Sequence, residues 1–388
     1  MDITQLLKGY DLSKLTVGVL GGHSALDVAH GAKKYGFKTV AVARKGREKT
    51  YAKYFITRDE SMGPKGNKQR SVGCLDEVIL VDQFTDILNK DVQQKLRSMN
   101  TIFVHNRYFW VYFDDFSKVE KEFNVPILGS RTLLKLEERD QPYNQYHLLH
   151  DAGIRTPKFF KSAKDIDRPV LVKASEAARG YERAFFVAVD EASYEAEGTK
   201  MEKAGKVNAK WRQASIEEFV VGAAINFNFF YSPRLGTLEL LGTDSRRQTN
   251  LDGFLRMTAR EQEKAMQYVD LKMIETGHVA CTVKESLLEK AFDLGEKFVK
   301  TTQHLPREID PAGKGIIGPF ALQGAVVAEE GKEDIVIFDV SFRIPGSPGT
   351  FATPYSRYLY GEAMSVGERI GMELKDAVDA GRVGDLIT

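Results

Sequence analysis

The sequence predicts a chain of mixed class, with an α/β lobe of Rossmann-like type first and α+β segments after it. In the first third, strand-like runs alternate with helical runs: "LTVGVLG", a helix over 24–35, then "KTVAVAR". Farther on, "RPVLVKAS" and "ERAFFVAV" flank a short loop, which predicts a β-hairpin. We therefore expect a Rossmann-like domain over 1–128, a small hairpin-bearing subdomain over 129–215 and a C-terminal subdomain with an antiparallel sheet over 216–388.

The N-terminal lobe continues the same alternation. The run "DEVILVD" predicts another strand, "VQQKLRSM" a helix and "TIFVH" a further strand, so the sheet should be mostly parallel. The stretch "RDESMGPKGNKQRSVG" is polar and rich in glycine, which is typical of a surface excursion between strands.

Helical periodicity marks the start of the second part, in "LLKLEERDQPYNQYHLLHDAGIRTP". Pro142 stands at the expected helix start, and Gly153 followed by Pro157 predicts its end. The third part holds four β-rich runs that predict the antiparallel sheet: "SIEEFVVGAAINFNFFYSP", "TLELLGTDSRR", "GPFALQGAVVAE" and "DIVIFDVSFRI". We expect one helix over 285–305 among these strands and another over 366–380.

The charge balance and the cysteine count narrow the classes of function. The 388 residues contain 55 Lys and Arg against 54 Asp and Glu, with no long run of one sign, so we expect no nucleic-acid partner. No stretch approaches the roughly 18 apolar residues that span a bilayer, and a signal-peptide pattern is missing, so we expect no membrane role. Cys74 and Cys281 are far apart, which is typical of a reducing compartment and predicts a cytoplasmic protein.

Lys173 stands near the end of the first hairpin strand, before a loop of small residues over 174–180. A cation on a rigid strand, beside backbone amides that can approach closely, suits a polyphosphate; a solvated surface lysine is the alternative. The run "IEEFVVG" places two acids before an apolar extended segment. Such a segment in a hinge suits an adenine edge and ribose hydroxyls, although a solvated strand start also explains it.

The run "FDVSFRI" places Asp339, Ser341 and Arg343 on one face of a strand, because residues two apart point the same way. Gln323 lies among apolar neighbours in "GPFALQGAV", a run expected to form an adjacent strand. Oxygen ligands from two neighbouring strands, with an arginine nearby, suit a magnesium-phosphate site. A structural salt bridge between Asp339 and Arg343 is the alternative.

The turn "GGHSAL" joins the first strand to its helix. Free amides at a helix N-terminus attract anions, so Gly22, His23 and Ser24 are candidate anion-binding residues, although Ser24 is also explained as a simple N-cap. The turn departs from the G-x-G-x-x-G fingerprint, and the next strand ends in Arg44, Lys45 and Arg47 instead of an acid that would bind ribose. We therefore do not expect a nicotinamide cofactor.

The other histidines give weaker signals. His147 and His150 lie three apart on a helix, a spacing that metals use, but no carboxylate or cysteine set accompanies them, so they are better explained as helix-surface residues. His105 ends a strand and His278 follows a glycine in "ETGHVACTV"; both are explained as ordinary loop residues.

Over nearly its whole length the chain resembles the formate-dependent ligases of purine biosynthesis in the ATP-grasp superfamily, the 5-formaminoimidazole-4-carboxamide ribonucleotide (FAICAR) synthetases. The resemblance rests on the order and length of these stretches: "GGHSALDVAHGAKKYGFKTVAVARKGREKTY", "DEVILVDQF", "RTLLKLEERD", "AGIRTPKFF", "DIDRPVLVKAS", "IEEFVVGA", "LLGTDSRRQTNLDGF", "KESLLEKAFDLGEKFVK", "GPFALQG" and "FDVSFRIPGSPGT". It implies an ATP-grasp fold, in which ATP lies between the hairpin subdomain and the C-terminal sheet and the Rossmann-like lobe binds substrate.

The resemblance also implies a reaction and the residues that serve it. The family couples ATP, formate and 5-aminoimidazole-4-carboxamide ribonucleotide (AICAR) to give FAICAR, ADP and phosphate, uses Mg²⁺ (or Mn²⁺), and forms symmetric homo-oligomers, which implies a hexamer. The implied catalytic residues are Lys173, Arg343 and His23. The implied ATP contacts are Lys173, Gly180, Tyr181, Glu217, Glu218, Val220 and Asn250. The implied AICAR contacts are Gly22, His23, Ser24, Arg107 and His278. The implied metal ligands are Gln323 and Asp339.

The chain also departs from the family pattern. Some members have serine in place of Arg107, asparagine in place of His278 and glutamate at both metal positions, and Gln141 stands where ATP-grasp enzymes often have lysine. A neutral amide at Gln323 is a weaker Mg²⁺ ligand than a carboxylate. Two alternatives therefore stay open: an ATP-grasp ligase that joins a different carboxylate and amine, and a nucleotide-binding module without catalysis.

Overall fold

The computed structural model describes residues 3–61, 69–113, 115–138, 141–174, 184–269, 271–329 and 331–388. The strands of the N-terminal lobe are β1 Thr16–Leu20, β2 Lys38–Arg44, β3 Arg58–Ser61, β4 Gln69–Val72, β5 Glu77–Val81, β6 Thr101–Val104 and β7 Ile127–Leu128. Its helices are α1 Ile3–Leu6, α2 Ala25–Lys34, α3 Lys90–Ser98, α4 Tyr108–Val111 and α5 Phe116–Glu122. Five of the strands form a parallel sheet in the order β5-β2-β1-β6-β7, which confirms the Rossmann-like prediction.

Strand β1 is buried at every residue, as expected of a central parallel strand that is covered on both faces. Because β1 and β6 pair in parallel, their carboxyl ends lie at the same edge of the sheet. The turn at 21–24 follows β1 there, and residues 105–107 follow β6. The polar excursion over 58–73 contains an antiparallel ribbon, because β3 pairs with β4. Residues 62–68 of this excursion lie outside the described residues.

The second part is a small sheet with two helices. Its elements are α6 Gln145–Asp151, β8 Phe159–Phe160, β9 Val170–Lys173, β10 Phe185–Ala188, α7 Glu191–Lys203 and β11 Ser215–Glu218. The strands pair antiparallel in the order β10-β9-β11-β8, and the fully buried Trp211 packs against Phe186 and Tyr194 beneath them. The predicted hairpin of β9 and β10 is thereby confirmed.

Two predictions for this part are wrong. Helix α6 does not start at Pro142 but at Gln145, because the Asn144 side chain accepts the Tyr146 amide at 3.0 Å and caps it; the preceding helical turn, Leu133–Glu137, is a separate 3-10 helix. The run that starts at Ser215 is not one strand of the large sheet, because β11 pairs with β9 of the small sheet. We therefore propose that the limit between the second and third parts follows Glu218.

The third part is built on a larger antiparallel sheet. Its elements are β12 Ala223–Ser232, β13 Thr237–Gln248, α8 Leu251–Phe254, α9 Ala259–Ala265, β14 Glu275–Ala280, α10 Glu285–Gln303, β15 Gly318–Glu329, β16 Lys332–Ser341, α11 Tyr355–Tyr360 and α12 Val366–Asp379. The strand order β14-β13-β12-β15-β16 confirms the predicted sheet, and α10 and α12 confirm the two predicted helices. Edge strand β14 was not predicted.

Helix α12 returns to the N-terminal lobe and packs against α2. The helices approach so closely that a Cβ atom added at Gly31 would lie 2.1 Å from the backbone of Gly367. This contact fixes the Rossmann-like lobe against the third part of the chain, and the turn at 22–24 meets the loop that follows β16. Within the ranges that the structure describes, no helix combines the length and apolar character that a membrane crossing requires.

Candidate active site

Lys173, at the end of β9, lies where the small sheet meets the large one. Its side chain is only 5% exposed, and its Nζ lies 2.5 Å from Oε2 of Glu217. Nζ also donates hydrogen bonds to the Tyr146 hydroxyl at 2.8 Å and to the Phe338 carbonyl of β16 at 3.3 Å. The alternative of a solvated surface lysine is therefore wrong: this ammonium group is buried, oriented and held next to the strand that carries Asp339.

The Glu217 carboxylate holds this ammonium in place. It is 1% exposed, and its Oε1 accepts the Tyr146 hydroxyl at 2.6 Å and the Ser215 hydroxyl at 3.0 Å. A solvated strand start is thus the wrong explanation for Glu217, whose side chain orients Lys173. Nothing in the sequence pattern singled out Tyr146, because its role arises only when α6 is placed over the small sheet.

A pocket of about 380 Å³ lies where the chain passes from β11 to the large sheet. Its apolar wall is formed by Val220, Val221, Val327 and Val336. Its rim is charged and is formed by Arg155, Arg168, Glu218 and Glu329. Val327 is four residues from Gln323 on β15, so both point to the same face of the large sheet. An apolar slot with a polar rim suits a nucleobase.

Gln323 and Asp339 lie directly opposite each other on β15 and β16, as the sequence predicts for a pair on neighbouring strands. However, Oε1 of the buried Gln323 accepts a hydrogen bond from the Arg246 guanidinium, and its Nε2 donates to the Ser341 hydroxyl at 2.8 Å. A guanidinium cation thus already contacts the oxygen that would bind magnesium, and its charge opposes a second cation there. The arrangement suits Asp339 as a metal ligand and does not suit Gln323. The described residues contain no cluster of three acidic, histidine or cysteine side chains that suits a metal.

Arg343 follows β16 and forms its ion pair with Glu137, at 3.4 Å between Nη2 and Oε2. Glu137 also accepts the Phe342 amide at 2.9 Å, and burial raises the pKa of its carboxyl although Arg343 opposes the shift. The structure therefore gives Arg343 a different partner from the Asp339 salt bridge considered above. Glu137 was not predicted, because it lies in a 3-10 helix far away in sequence.

The turn after β1 faces the loop that follows Arg343. The Ser24 hydroxyl donates to the Pro345 carbonyl at 2.6 Å and makes no capping hydrogen bond to α2, so the simple N-cap explanation is wrong. His23 packs so closely on Gly346 that a Cβ there would lie 2.3 Å from Nδ1. Asn106 holds the turn from the other side, because its Nδ2 donates to the His23 carbonyl at 3.0 Å.

Gly22 also needs to be glycine at this turn, since a Cβ would lie 2.1 Å from the ring of Tyr108. The three turn residues therefore lie at the N-terminus of α2, as the sequence predicts, and the structure adds their contact with the loop that follows β16.

His278 lies on edge strand β14, and its two ring nitrogens face two carboxylates. Nδ1 contacts Asp244, and Nε2 lies 3.0 Å from Oε1 of Glu275. Burial alone would lower the pKa of His278, but these hydrogen bonds raise it to about 9. Its explanation as an ordinary loop residue is therefore wrong. Glu275 Oε1 also lies 3.7 Å from Nε2 of His23, so the structure brings the two predicted histidines to one carboxylate.

Two guanidinium groups, those of Arg107 and Arg246, lie near this carboxylate, and that of Arg343 lies near Arg107. Arg246 Nε lies 3.5 Å from Oε2 of Glu275. Burial and the nearby Arg343 lower the pKa of Arg107, which Glu275 partly offsets. Clustered guanidinium groups recognise anions such as phosphate or formate. Arg246 was missed by sequence reasoning, although its position in "DSRRQTN" on a strand adjacent to β12 gave a signal.

Other predicted residues have simpler positions. Gly180 and Tyr181 lie outside the described residues. Asn250 stands at the start of α8, with a φ of 43°, and its Oδ1 accepts the Lys272 amide at 2.7 Å. His150 is exposed, as expected on a helix surface. His105 is buried, contrary to the loop explanation, and burial lowers its pKa to about 4.

These histidines predict a pH dependence of stability. The pKa of His278 is about 9 in the folded protein against an ordinary value of 6.5 in the unfolded chain, so its contribution to stability is complete below pH 6.5 and is lost as pH rises through 9. The pKa of His23 is lowered to about 4, mainly by burial, so stability also falls as pH drops from 6.5 to 4. We expect urea unfolding at pH 10 to show a loss of about 3 kcal/mol relative to pH 6.5. The variant His278→Gln should show a flatter alkaline limb; an unchanged limb would contradict the assignment.

Comparison with known proteins places this geometry in a family. Residues 17–160 match the family model described as "Protein of unknown function (DUF1246)", and residues 193–388 match "Domain of unknown function (DUF1297)". The crystal structure of an IMP biosynthesis protein PurP from Thermococcus kodakaraensis is similar over 96% of this chain and 100% of that chain, with a TM-score of 0.68 and 26% identity. An N5-carboxyaminoimidazole ribonucleotide synthetase shares the fold with a TM-score of 0.55 at 12% identity, over 91% of this chain and 78% of that one. The predicted ATP-grasp fold is thereby confirmed.

Curated relatives match along the full chain. A protein of Methanosphaera stadtmanae is 35% identical over 394 residues, which cover 100% of this chain and 98% of the relative. One from Methanopyrus kandleri is 33% identical over 388 residues, which cover 100% and 99%. Both relatives carry the same name. Their sequence similarity to this chain extends across the Rossmann-like lobe, the hairpin subdomain and the large sheet. This chain therefore belongs to the family of the 5-formaminoimidazole-4-carboxamide-1-(beta)-D-ribofuranosyl 5'-monophosphate synthetases.

Proposed function

We propose that this protein is an ATP-dependent ligase that formylates AICAR with formate, giving FAICAR, ADP and phosphate in purine biosynthesis. The single observation that carries the proposal is that β16 connects two charged sites. The Phe338 carbonyl of this strand accepts a hydrogen bond from the buried ammonium of Lys173, and Arg343, which follows the strand, lies near His23 and Arg107. Membership of the synthetase family supports the same function.

The nucleotide would occupy the junction of the two sheets. Its base would fill the slot walled by Val220 and Val327, with Glu218 at the rim. Its phosphates would reach Lys173, whose ammonium group is fixed by Glu217, so that little reorganisation is needed when charge develops. Gly180, Tyr181 and Asn250 remain predicted contacts from the resemblance.

A divalent cation, Mg²⁺ as is usual with ATP, would bring charge neutralisation to the phosphates when bound. Of the predicted pair of ligands, only Asp339 offers a carboxylate, because the Gln323 oxygen accepts a hydrogen bond from Arg246. We therefore assign the protein's part of the phosphate chemistry to the fixed cations Lys173 and Arg343.

In the first step, a formate oxygen would attack the γ-phosphorus of ATP, giving formyl phosphate and ADP. Lys173 and Arg343 would stabilise the charge that builds up on the phosphoryl oxygens. In the second step the amine of AICAR would attack the formyl carbon and phosphate would leave. Because formyl phosphate hydrolyses in water, the acceptor must already be in place, which the substrate site beside the turn at 22–24 would ensure.

The acceptor nucleotide would lie against the Rossmann-like lobe. The phosphate of this nucleotide would bind the backbone amides at the start of α2, which follow Gly22 and Ser24, and the Arg107 guanidinium. His23 lies in the same turn. The pKa of His23 is lowered to about 4 because of burial and the neighbouring Arg343, so it would act as a neutral hydrogen-bonding group. A homo-oligomeric state remains a prediction from the family resemblance.

The test is an assay of purified protein with ATP, formate and AICAR, followed by mass spectrometry. We expect a product heavier than AICAR by one formyl group, formed together with ADP, and lost when any one of the three substrates is omitted. ATP hydrolysis that is indifferent to formate and AICAR would instead favour a ligase with another carboxylate and amine. ATP binding without any product across a panel of acids and amines would favour a non-catalytic module.

A further inference from the structure

His278 has no ring N–H left to give to a ligand. Its Nδ1 faces Asp244 and its Nε2 faces Oε1 of Glu275 at 3.0 Å. Asp244 is fully buried and is itself held by Asn226 Nδ2 at 2.8 Å and Asn228 Nδ2 at 2.6 Å. A chain of hydrogen bonds therefore runs from the centre of the large sheet through His278, and it ends at the Glu275 carboxylate.

Of the three side chains Asp244, His278 and Glu275, that of Glu275 is the most exposed. Its side chain is 18% exposed, whereas that of His278 is 7% exposed. Oε1 lies 3.7 Å from Nε2 of His23, which is too long for a hydrogen bond, and Oε2 lies 3.5 Å from Nε of Arg246. A carboxylate has about four acceptor positions, so Glu275 keeps capacity for a donor from a bound molecule.

The charges around Glu275 restrict which group of a substrate it can contact. Arg107 and Arg246 lie near it and suit anions, while Glu275 itself repels formate and phosphate. A partly exposed carboxylate beside guanidinium groups selects a neutral or positive hydrogen-bond donor. In the proposed reaction the donor that must be placed beside the phosphate chemistry is the exocyclic amine of the acceptor.

We infer that Glu275 contacts the acceptor substrate and accepts a hydrogen bond from its exocyclic amine, while His278 and Asp244 are positioning residues that fix the carboxylate. This inference rests on the proposed function. One N–H binds Glu275, and the lone pair of the nitrogen points to the formyl carbon. The N–C bond forms, the C–O bond to phosphate breaks, phosphate leaves with that electron pair, and the proton lost from nitrogen goes to phosphate.

The test compares the binding of AICAR with that of its analogue without the amine, imidazole-4-carboxamide ribonucleotide. Unmodified protein should bind AICAR about 10- to 100-fold more tightly than the analogue, as expected of a hydrogen bond to a charged group. Glu275→Gln should remove most of this preference, measured as the ratio of the two dissociation constants. The matched control is Glu195→Gln, because Glu195 is exposed and pairs with Arg212 on the surface; it should change neither value.

The outcomes separate the inference from the function on which it rests. If unmodified protein binds AICAR and the analogue equally, or if Glu275→Gln weakens both alike, the inference is overturned and the proposed function stands. If unmodified protein does not bind AICAR, both fall. His278→Gln keeps the carboxylate but loosens it, so it should reduce the preference for AICAR in part; an unchanged preference would overturn the positioning role.

Discussion

Replacing Lys173 with methionine should lower ATP-dependent turnover by about 10²- to 10³-fold, which is the usual effect of removing one preorganised charge from a phosphate site. Methionine retains most of the side-chain volume, but it lacks the ammonium group that Glu217 holds at 2.5 Å. The same change leaves Glu217 buried and unpaired, which should cost about 3 to 5 kcal/mol in the free energy of unfolding. Steady-state kinetics and urea unfolding measure the two effects.

The two effects are separated by the double variant Lys173→Met/Glu217→Gln. Its neutral amide removes the uncompensated charge, so stability should return toward that of the unmodified protein while turnover stays low. Lys158→Met is the matched control, because Lys158 is half exposed and pairs with Asp167 at 3.1 Å on the surface of the same subdomain. Recovery of turnover in the double variant would mean that Lys173 acts only through folding.

Much of the fold could be predicted because its long elements carry periodic patterns. The parallel strands of the N-terminal lobe are continuous apolar runs, and α10 and α12 are long amphipathic helices. The start of α6 was misjudged, because Pro142 is a general helix-start signal whereas Asn144 makes the actual capping hydrogen bond. The sheet to which Ser215–Glu218 belongs could not be read from composition, since strands of both sheets are equally β-rich.

The site was predictable where a residue lies in a recognisable run. Lys173 and the opposed pair Gln323 and Asp339 were found in this way, and the register of β15 and β16 places the pair as expected. Residues that act through tertiary contact were missed. Tyr146 comes from a helix, Glu137 from a 3-10 turn, and Glu275 from a strand with no apolar alternation. No local sequence pattern therefore predicts that these side chains contact Glu217, Arg343 and His278, respectively.

The hydrogen bond between Arg246 and Gln323 shows why spacing alone does not assign a metal ligand. Both predicted oxygens lie at the expected positions, yet the partner of one of them is decided by Arg246 on another strand. Residue type and spacing along two strands determine which oxygen atoms can lie close together. The charged side chains next to those oxygens determine which ion can bind them.

Replacing Arg369 with methionine should destabilise the protein by about 3 to 5 kcal/mol, because it would leave the buried Glu239 carboxylate without its cation and the buried Glu373 carboxylate with the more distant Arg234, at 3.8 Å. Arg369 of α12 is fully buried, and its guanidinium donates to both oxygens of Glu239 on β13, at 2.7 and 2.8 Å. It also donates to Glu373 at 2.9 Å and lies 4.2 Å from the centre of the Phe230 ring. Urea unfolding followed by circular dichroism measures the loss.

The matched control lies on the same helix. Lys375 forms an exposed pair with Asp379, and surface pairs contribute about 0 to 1 kcal/mol, so Lys375→Met should leave the unfolding midpoint nearly unchanged. The variant with methionine at Arg369 and glutamine at both Glu239 and Glu373 removes the guanidinium together with the two carboxylates that it contacts, and it should regain a large part of the loss. Because α12 also packs against α2 of the Rossmann-like lobe, failure of Arg369→Met to destabilise would show that this helix is held by its glycine contacts and apolar face alone.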